Sequence, residues 1–170
     1  MKAVNRRFML FWSALAGIGA SRMAEAAPKK IGLGQFKKEA EINALYHCDF
    51  GDPGRFGQML TNINNFLSVY EFDPFKVKAV IVTHGPGVKY FLTDLVGTPW
   101  EKETLDSEIT ARIEALAKYG VEVYICQITF KRLKIDLAKI REAPYVRLVD
   151  SGVASVAELQ TKGYAYVKVG

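Results

Sequence analysis

Short apolar runs alternate with helical stretches along most of this sequence, and the alternation restricts the fold more than any other feature. The run over residues 77–82 is almost continuously apolar, which is typical of a strand buried on both faces of a parallel sheet. Similar short runs are found at residues 42–48, 121–126, 145–149 and 164–169. Strands that alternate with helices build βαβ units. The sequence therefore predicts an α/β fold with a parallel sheet and helices on both faces.

The stretches between these runs carry helix signals. Asp52 is a suitable N-cap, Pro53 fits the first helical position, and apolar residues follow at helical spacing. Two more long helices are predicted over residues 105–119 and 153–161, and shorter ones over residues 88–95 and 130–135. These helices would cover the two faces of the sheet.

The first 26 residues have the order of an export signal: a basic start, an uncharged stretch, and a small-residue cleavage site at Ala24-Glu25-Ala26. The pair Arg6-Arg7 precedes Phe8-Met9-Leu10, which resembles the twin-arginine pattern. The uncharged stretch has 14 residues, whereas a bilayer core requires roughly 20. We therefore expect a periplasmic protein with its signal cleaved after Ala26. An uncleaved anchor on the outer side of the inner membrane, or a cytoplasmic protein with an apolar N-terminal helix, is the alternative.

The rest of the chain is expected to contain a flexible lead-in over residues 27–40 and a single domain over residues 41–170. Removing residues 1–26 takes away four basic residues and one acidic residue, which lowers the net charge from +5 to +2. So small a charge argues against nucleic acid as a partner. The two cysteines are too few for a disulfide framework, and no metal-ligand spacing occurs, so we expect no metal and no cofactor.

Three residues that can carry chemistry follow or end predicted strands: Cys48, His84 and Cys126. Functional groups collect at the carboxyl ends of parallel strands. Cys126 is the preferred nucleophile, because a predicted helix start and the basic residues Lys131 and Arg132 would stabilise its thiolate. Cys48 is a secondary thiol, followed by acidic residues that oppose ionisation. The alternative is that a strand-end cysteine is a small apolar core residue.

The segment His84-Gly85-Pro86-Gly87 is a candidate ligand loop. Its glycines permit a ligand to approach the backbone, and Lys131 and Arg132 could bind an anion beside Cys126. His84 could act as a general base, or it could bond a loop carbonyl. The basic pair could equally be part of a solvated helix face. The loop lacks the third glycine of a dinucleotide fingerprint, and no Walker motif occurs.

Several segments in this order resemble the DsrE/DsrF-like family. They are residues 46–49, 80–88, 120–126, 151–154 and 163–168. The resemblance implies a three-layer α/β/α sandwich with a mainly parallel five-stranded sheet, often oligomeric. It also implies that a strand-end cysteine, here Cys126, carries sulfur as a persulfide. The second strand is expected to separate the first from the third, which would place Cys48 and Cys126 too far apart for a disulfide.

Two main functions remain open at this point. One is an exported sulfur-relay or thiol-handling protein with Cys126 as persulfide acceptor and a sulfur-donor or redox protein as partner. The other is a non-catalytic oligomeric scaffold, or an accessory subunit of a periplasmic or membrane-associated redox complex. A binder of a small anion or nucleotide-like ligand is a third possibility. A homo-oligomer is expected from an apolar patch of aromatic residues in the middle loops: Phe72, Phe75, Tyr90, Phe91 and Trp100.

Export can be tested through the arginine pair. Replacing Arg6 and Arg7 by Lys should block export, because the twin-arginine route reads the arginines themselves. The measurement is the amount of protein in the periplasmic fraction, with N-terminal sequencing of the wild-type protein expected to begin at Ala27. Normal periplasmic accumulation of the double variant would exclude this route, and Met1 on protein from the envelope would favour an uncleaved anchor.

Overall fold

The computed structural model describes residues 28–170, so the predicted export signal lies outside the described residues. Its centre is a five-stranded, all-parallel sheet with strand order β4-β3-β2-β1-β5. The strands are β1 (Ile42–Cys48), β2 (Val77–Thr83), β3 (Glu122–Cys126), β4 (Val146–Val149) and β5 (Tyr164–Val167). The predicted parallel α/β fold is therefore confirmed, and β2 lies between β1 and β3 as expected.

Four α-helices connect or follow these strands. They are α1 (Pro53–Val69), α2 (Ser107–Ala117), α3 (Gln127–Leu133) and α4 (Gly152–Thr161). The side chain of Asp52 caps α1 by accepting a hydrogen bond from Arg55 N at 2.6 Å. A 3-10 segment, Gly85–Phe91, replaces the helix predicted over residues 88–95. In the part of the chain that the structure describes, no helix is long and apolar enough to cross a membrane.

The two faces of the sheet carry separate apolar cores because successive strand residues point to opposite sides. On the first face, Ala44, Tyr46 and Cys48 pack with the apolar sides of α1 and α2. On the second face, Leu45 belongs to a smaller core that includes Leu159 of α4. Helices on both sides of one sheet make the three-layer α/β/α sandwich.

The segment predicted to be a flexible lead-in packs against the second face of the sheet instead. Ile31 N donates to Leu148 O at 2.9 Å, which extends the pairing of β4. The Phe36 ring is buried and stacks on Tyr124 with a centroid separation of 5.2 Å. The difference from the prediction has a simple cause: burial of this aromatic ring stabilises a docked segment that otherwise looks polar.

The aromatic residues predicted to form an oligomerisation patch do not lie together on the surface. Tyr90 and Phe91 are buried, and the Tyr90 ring stacks on Phe56 at 3.8 Å between centroids. Tyr90 Oη also donates to Gly51 O at 2.7 Å. Phe75 is 82% exposed. Core packing explains most of this aromatic content, so homo-oligomerisation stays a prediction without the patch that suggested it.

The space around Gly87 shows how tightly the ends of β1 and β2 pack against the 3-10 segment. A Cβ atom at Gly87 would lie 2.3 Å from Cys48 O and 2.7 Å from Cys48 Sγ. Gly87→Ala should therefore lower the free energy of unfolding by about 2 kcal/mol or more, measured by urea denaturation. Gly34→Ala is the matched control, because no atom lies within 4 Å of its added Cβ. Equal stability of the two variants would contradict the packing described here.

Candidate functional site

Four polar or reactive side chains meet at the carboxyl ends of adjacent strands, on the face that α4 covers. They are His47 near the end of β1, His84 just after β2, Cys126 at the end of β3 and Tyr166 in β5. Strand alternation puts them on one side: each lies two residues beyond a member of the smaller core, namely Leu45, Val82, Tyr124 and Tyr164. We call His47, His84, Cys126 and Tyr166 the strand-end cluster.

The two histidines of the cluster face each other directly. Their Nε2 atoms are 2.7 Å apart, and the rings are tilted by 41° with centroids 4.8 Å apart. Tyr166 Oη lies 3.4 Å from His47 Nδ1, so the hydrogen-bonded chain continues toward the exposed Tyr166 side chain. Because one nitrogen must donate and the other accept, a single proton lies between the two Nε2 atoms.

The environment keeps this histidine pair neutral at neutral pH. Burial lowers the pKa of His47 below its ordinary value of 6.5. Burial also lowers the pKa of His84, and the neighbouring His47 lowers it further. Asp49 acts in the opposite direction on both rings, but more weakly than burial. Neutral imidazoles are bases with a free electron pair, so the pair can accept a proton.

Cys126 lies beside His84 because their strands are neighbours in register. Thr83 pairs with Ile125, and His84 and Cys126 follow these residues directly. The first residue of α4, Gly152, packs on both: a Cβ there would lie 3.0 Å from His84 Cβ and 3.1 Å from Cys126 Cβ. The absence of a side chain at Gly152 is thus what lets α4 approach the cluster.

Cys126 is 4% exposed and occupies the N-cap position of α3. The helix begins directly after it, earlier than the predicted start near residue 130. Lys131 and Arg132 are exposed and lie in the last turn of α3 rather than its first. The positive charge of Arg132 nevertheless acts on His84, whose pKa it lowers as a minor contribution. Of the two basic residues, Arg132 is thus the one whose charge acts on a member of the cluster, and stabilisation of a Cys126 thiolate by either residue stays a prediction.

Cys48 occupies the equivalent strand end but points to the opposite face. It is fully buried among α1 and the 3-10 segment, with Gly87 packed against its sulfur. Burial raises the pKa of the Cys48 thiol to about 12, and the charge of Asp49 adds only a small further increase. Desolvation, rather than the acidic neighbours named in the prediction, is therefore the main effect that opposes ionisation of Cys48, and its lower reactivity stays a prediction.

The residues predicted to bind an anion are divided among three environments. Gly85 has a φ of 53°, and its backbone N donates to Thr129 Oγ1 at 2.9 Å. Gly85 and Arg132 line the same pocket. Gly87 is buried against Cys48 and has a packing role. Lys131 lines a different pocket with Ile128 and Asp150. The structure therefore does not bring the four residues together around one ligand.

The Gly85 pocket opens next to the strand-end cluster and is mostly apolar. It has a volume of about 290 Å³ and is lined by Gly85, Pro86, Pro99, Trp100, Thr129, Arg132 and Leu133. Among residues 28–170, no group of three His, Cys, Asp or Glu side chains is placed to hold a metal ion. The arrangement is suited to thiol and proton chemistry, with room for a small apolar group nearby.

Sequence reasoning missed His47, Tyr166 and Gly152. Strand alternation was the available signal: in a strand ending at Cys48, His47 must point to the face opposite Cys48. Which of the two faces also receives His84 and Cys126 depends on where each strand ends in the sheet. That information is not local to any one segment.

The two thiols should differ strongly in reactivity. Limiting iodoacetamide near neutral pH should modify Cys126 first and Cys48 at least about a hundredfold more slowly, since burial suppresses the Cys48 thiolate. Peptide mass mapping gives the rates, and urea-unfolded protein provides the control in which both thiols react alike. Equal labelling in the folded protein would contradict the assignment, and protection of both thiols would indicate a closed site.

Comparison with known proteins agrees with this architecture. The chain is 27% identical over 127 residues to an uncharacterized protein of Aquifex aeolicus (strain VF5), a match covering 74% of this chain and 55% of that protein. The chain thus spans about half the length of that relative. The fold is also similar to a solved structure of a protein of unknown function, MTH1491 from Methanobacterium thermoautotrophicum, with a TM-score of 0.59 and 24% sequence identity. The match covers 74% of this chain and 97% of that one, and it supports the fold.

A match to the DsrE/DsrF-like family extends over residues 45–169, which begins within β1 and includes the other four strands and the strand-end cluster. Because this match covers most of the chain, the protein belongs to the DsrE/DsrF-like family.

Proposed function

We propose that this protein is an exported sulfur-relay protein in which Cys126 accepts sulfur as a persulfide. Membership of the DsrE/DsrF-like family suggests a role of the sulfur-relay type at the level of the family. The observation that supports the finer assignment is the position of Cys126 beside a neutral histidine pair, while Cys48 is sealed in the opposite core.

The transfer conserves atoms and electrons. The Cys126 thiolate attacks the outer sulfur of a donor persulfide, so that a new S–S bond forms on Cys126. The donor's own S–S bond breaks, and the donor departs as a thiolate that takes up a proton. The proton lost by Cys126 equals the one gained by the donor, and no oxidant or reductant is consumed. The reverse reaction would hand the sulfur to an acceptor thiol.

The start of α4 supports negative charge at this position. Gly152, the first residue of α4, packs against Cys126, because a Cβ atom added to it would lie 3.1 Å from Cys126 Cβ. The Ser151 side chain caps the helix by accepting from Ala154 N. The N-terminal end of a helix carries partial positive charge, which stabilises a nearby thiolate or persulfide anion. This contribution is independent of Lys131, which lies at the far end of α3.

The cellular setting of the proposal comes from the sequence. The basic, apolar and small-residue order of residues 1–26 supports periplasmic export, and the partner would be a sulfur-donor or redox protein. Homo-oligomerisation is part of the same proposal. The alternative function, a non-catalytic scaffold or accessory subunit of a redox complex, is favoured by one observation: only 4% of Cys126 is exposed.

A sulfane donor distinguishes these functions. Purified protein incubated with a donor persulfide should gain the mass of one sulfur atom, measured by intact mass spectrometry without reductant. Cys126→Ser should not gain it, because the attacking atom is absent. Cys48→Ser is the matched control and should gain it normally, since Cys48 is buried on the other face. Sulfur held by Cys48 alone would overturn the assignment, and no sulfur gain by any form would favour the scaffold.

A further inference from the structure

The Gly85 pocket combines apolar walls with charge of a single sign. Its apolar walls are Pro86, Pro99, Trp100 and Leu133. Among the described residues that line the pocket, Arg132 is the one that carries a charge. Within residues 28–170, Arg132 forms no salt bridge. A cation without a partner beside an apolar cavity attracts an anion that also carries an apolar group.

The polar side chains of this pocket offer hydrogen-bond donors. The Trp100 indole N–H and the Arg132 guanidinium can only donate. Thr129 is 6% exposed, and its hydroxyl oxygen accepts from Gly85 N at 2.9 Å. The hydroxyl hydrogen of Thr129 therefore remains to be donated. The pocket wall thus suits a ligand whose polar end consists of acceptors.

The loop that supplies Pro99 and Trp100 is held in place by the protein itself. Lys89, whose side chain is 6% exposed, forms an ion pair with Glu103 of this loop. Trp100 N donates to Thr98 Oγ1 at 3.2 Å, and Trp100 packs against the larger core. A pocket with fixed walls binds a small ligand without the entropy cost of ordering those walls.

The neighbouring pocket that Lys131 lines differs in charge. It has a volume of about 340 Å³, and Asp150 lines it together with Lys131. The Asp150 carboxylate, which pairs with Lys30 Nζ at 2.5 Å, would repel an anion placed there. The Gly85 pocket has no carboxylate among its described lining residues, so an anion is better accommodated beside Arg132.

The size and shape of the Gly85 pocket restrict the ligand further. Its volume of about 290 Å³ is at the lower end of the range for small-molecule sites. A guanidinium can bind a carboxylate through two parallel hydrogen bonds. An indole and two prolines present flat apolar surfaces that suit an aromatic ring. These properties together select a small carboxylate with an aromatic body.

We propose that the Gly85 pocket binds a small aromatic carboxylate, with Arg132 holding the carboxylate and the ring lying between Trp100 and the apolar walls. The proposal goes beyond sulfur relay, because it involves no step at Cys126. It gives Arg132 a role in ligand binding that Lys131, the next residue back along α3, does not share.

Arg132 also couples the pocket to the strand-end cluster. Burial lowers the pKa of His84 most, followed by the effect of His47, and the charge of Arg132 adds a smaller contribution in the same direction. Asp49 opposes these effects. A carboxylate bound to Arg132 would offset its positive charge, so occupation of the pocket should raise the pKa of His84. By linkage, the carboxylate should bind more tightly once His84 is protonated.

Benzoate is the probe for this site, with benzamide as its uncharged analogue and acetate as a carboxylate without a ring. Titration of purified ¹⁵N-labelled protein at fixed ionic strength should shift the Gly85 amide and the Trp100 indole N–H signals. Benzoate should bind with a Kd of about 5 mM or below, as expected for so small a ligand. Benzamide and acetate should each bind at least about tenfold more weakly, because each lacks one of the two recognised groups.

Arg132→Gln is the decisive variant, and the exposure of Arg132 allows the fold to tolerate it. It should weaken benzoate binding by about tenfold or more and leave benzamide binding unchanged, because only the charge is lost. Lys131→Gln is the matched control: it removes the same charge one residue away, from the other pocket, and should change benzoate affinity by less than about twofold. Trp100→Ala should weaken binding of both benzoate and benzamide.

The imidazole signals of His84 provide a second readout. The pKa of His84, followed by NMR across the pH range, should be higher in saturating benzoate than in acetate at the same ionic strength, and Arg132→Gln should abolish the difference. Equal loss of benzoate affinity in Arg132→Gln and Lys131→Gln would overturn the proposal, as would benzoate shifts confined to other parts of the protein or an unchanged pKa of His84. Sulfur gain by Cys126 is measured separately, so either proposal can fail without the other.

Discussion

The register of three adjacent parallel strands is the constraint on which the rest of this structure depends. β1, β2 and β3 lie side by side, with Cys48 opposite Thr83 and Thr83 opposite Ile125. Because side chains alternate between faces, His47 and His84 share one face of the sheet with Cys126, and Cys48 is left on the other. A shift of one residue in any of these strands would move its side chains to the opposite face of the sheet. His47, His84 and Cys126 would then no longer lie together.

The two cysteines illustrate how strongly the face of a sheet decides chemistry. Each ends its strand, and the two strands are separated by one other strand. Cys48 faces the larger core, where desolvation raises its thiol pKa to about 12. Cys126 lies against the start of α4, on the face of the sheet that also carries the histidine pair. Desolvation, more than the acidic residues nearby, is what opposes ionisation of the Cys48 thiol.

Glycine has two distinct tasks at this edge of the sheet. Gly87 allows the 3-10 segment to close over Cys48, and Gly152 allows α4 to approach His84 and Cys126. Both tasks are close approaches that a Cβ would prevent. A glycine loop next to a histidine resembles a ligand cradle in sequence, yet Gly87 in this fold serves to pack the strand end.

The sequence by itself determined the five strands, the longer helices, their order and the parallel sheet, because apolar periodicity, caps and strand–helix alternation are local properties. It also determined that Cys126 and His84 would lie at strand ends. Only the tertiary structure decided that His47 and Tyr166 complete their cluster, that Lys131 lies elsewhere, and that Phe36 docks the lead-in onto Tyr124. These outcomes depend on strand order, register and the face each element covers, which arise from contacts between residues far apart in the chain.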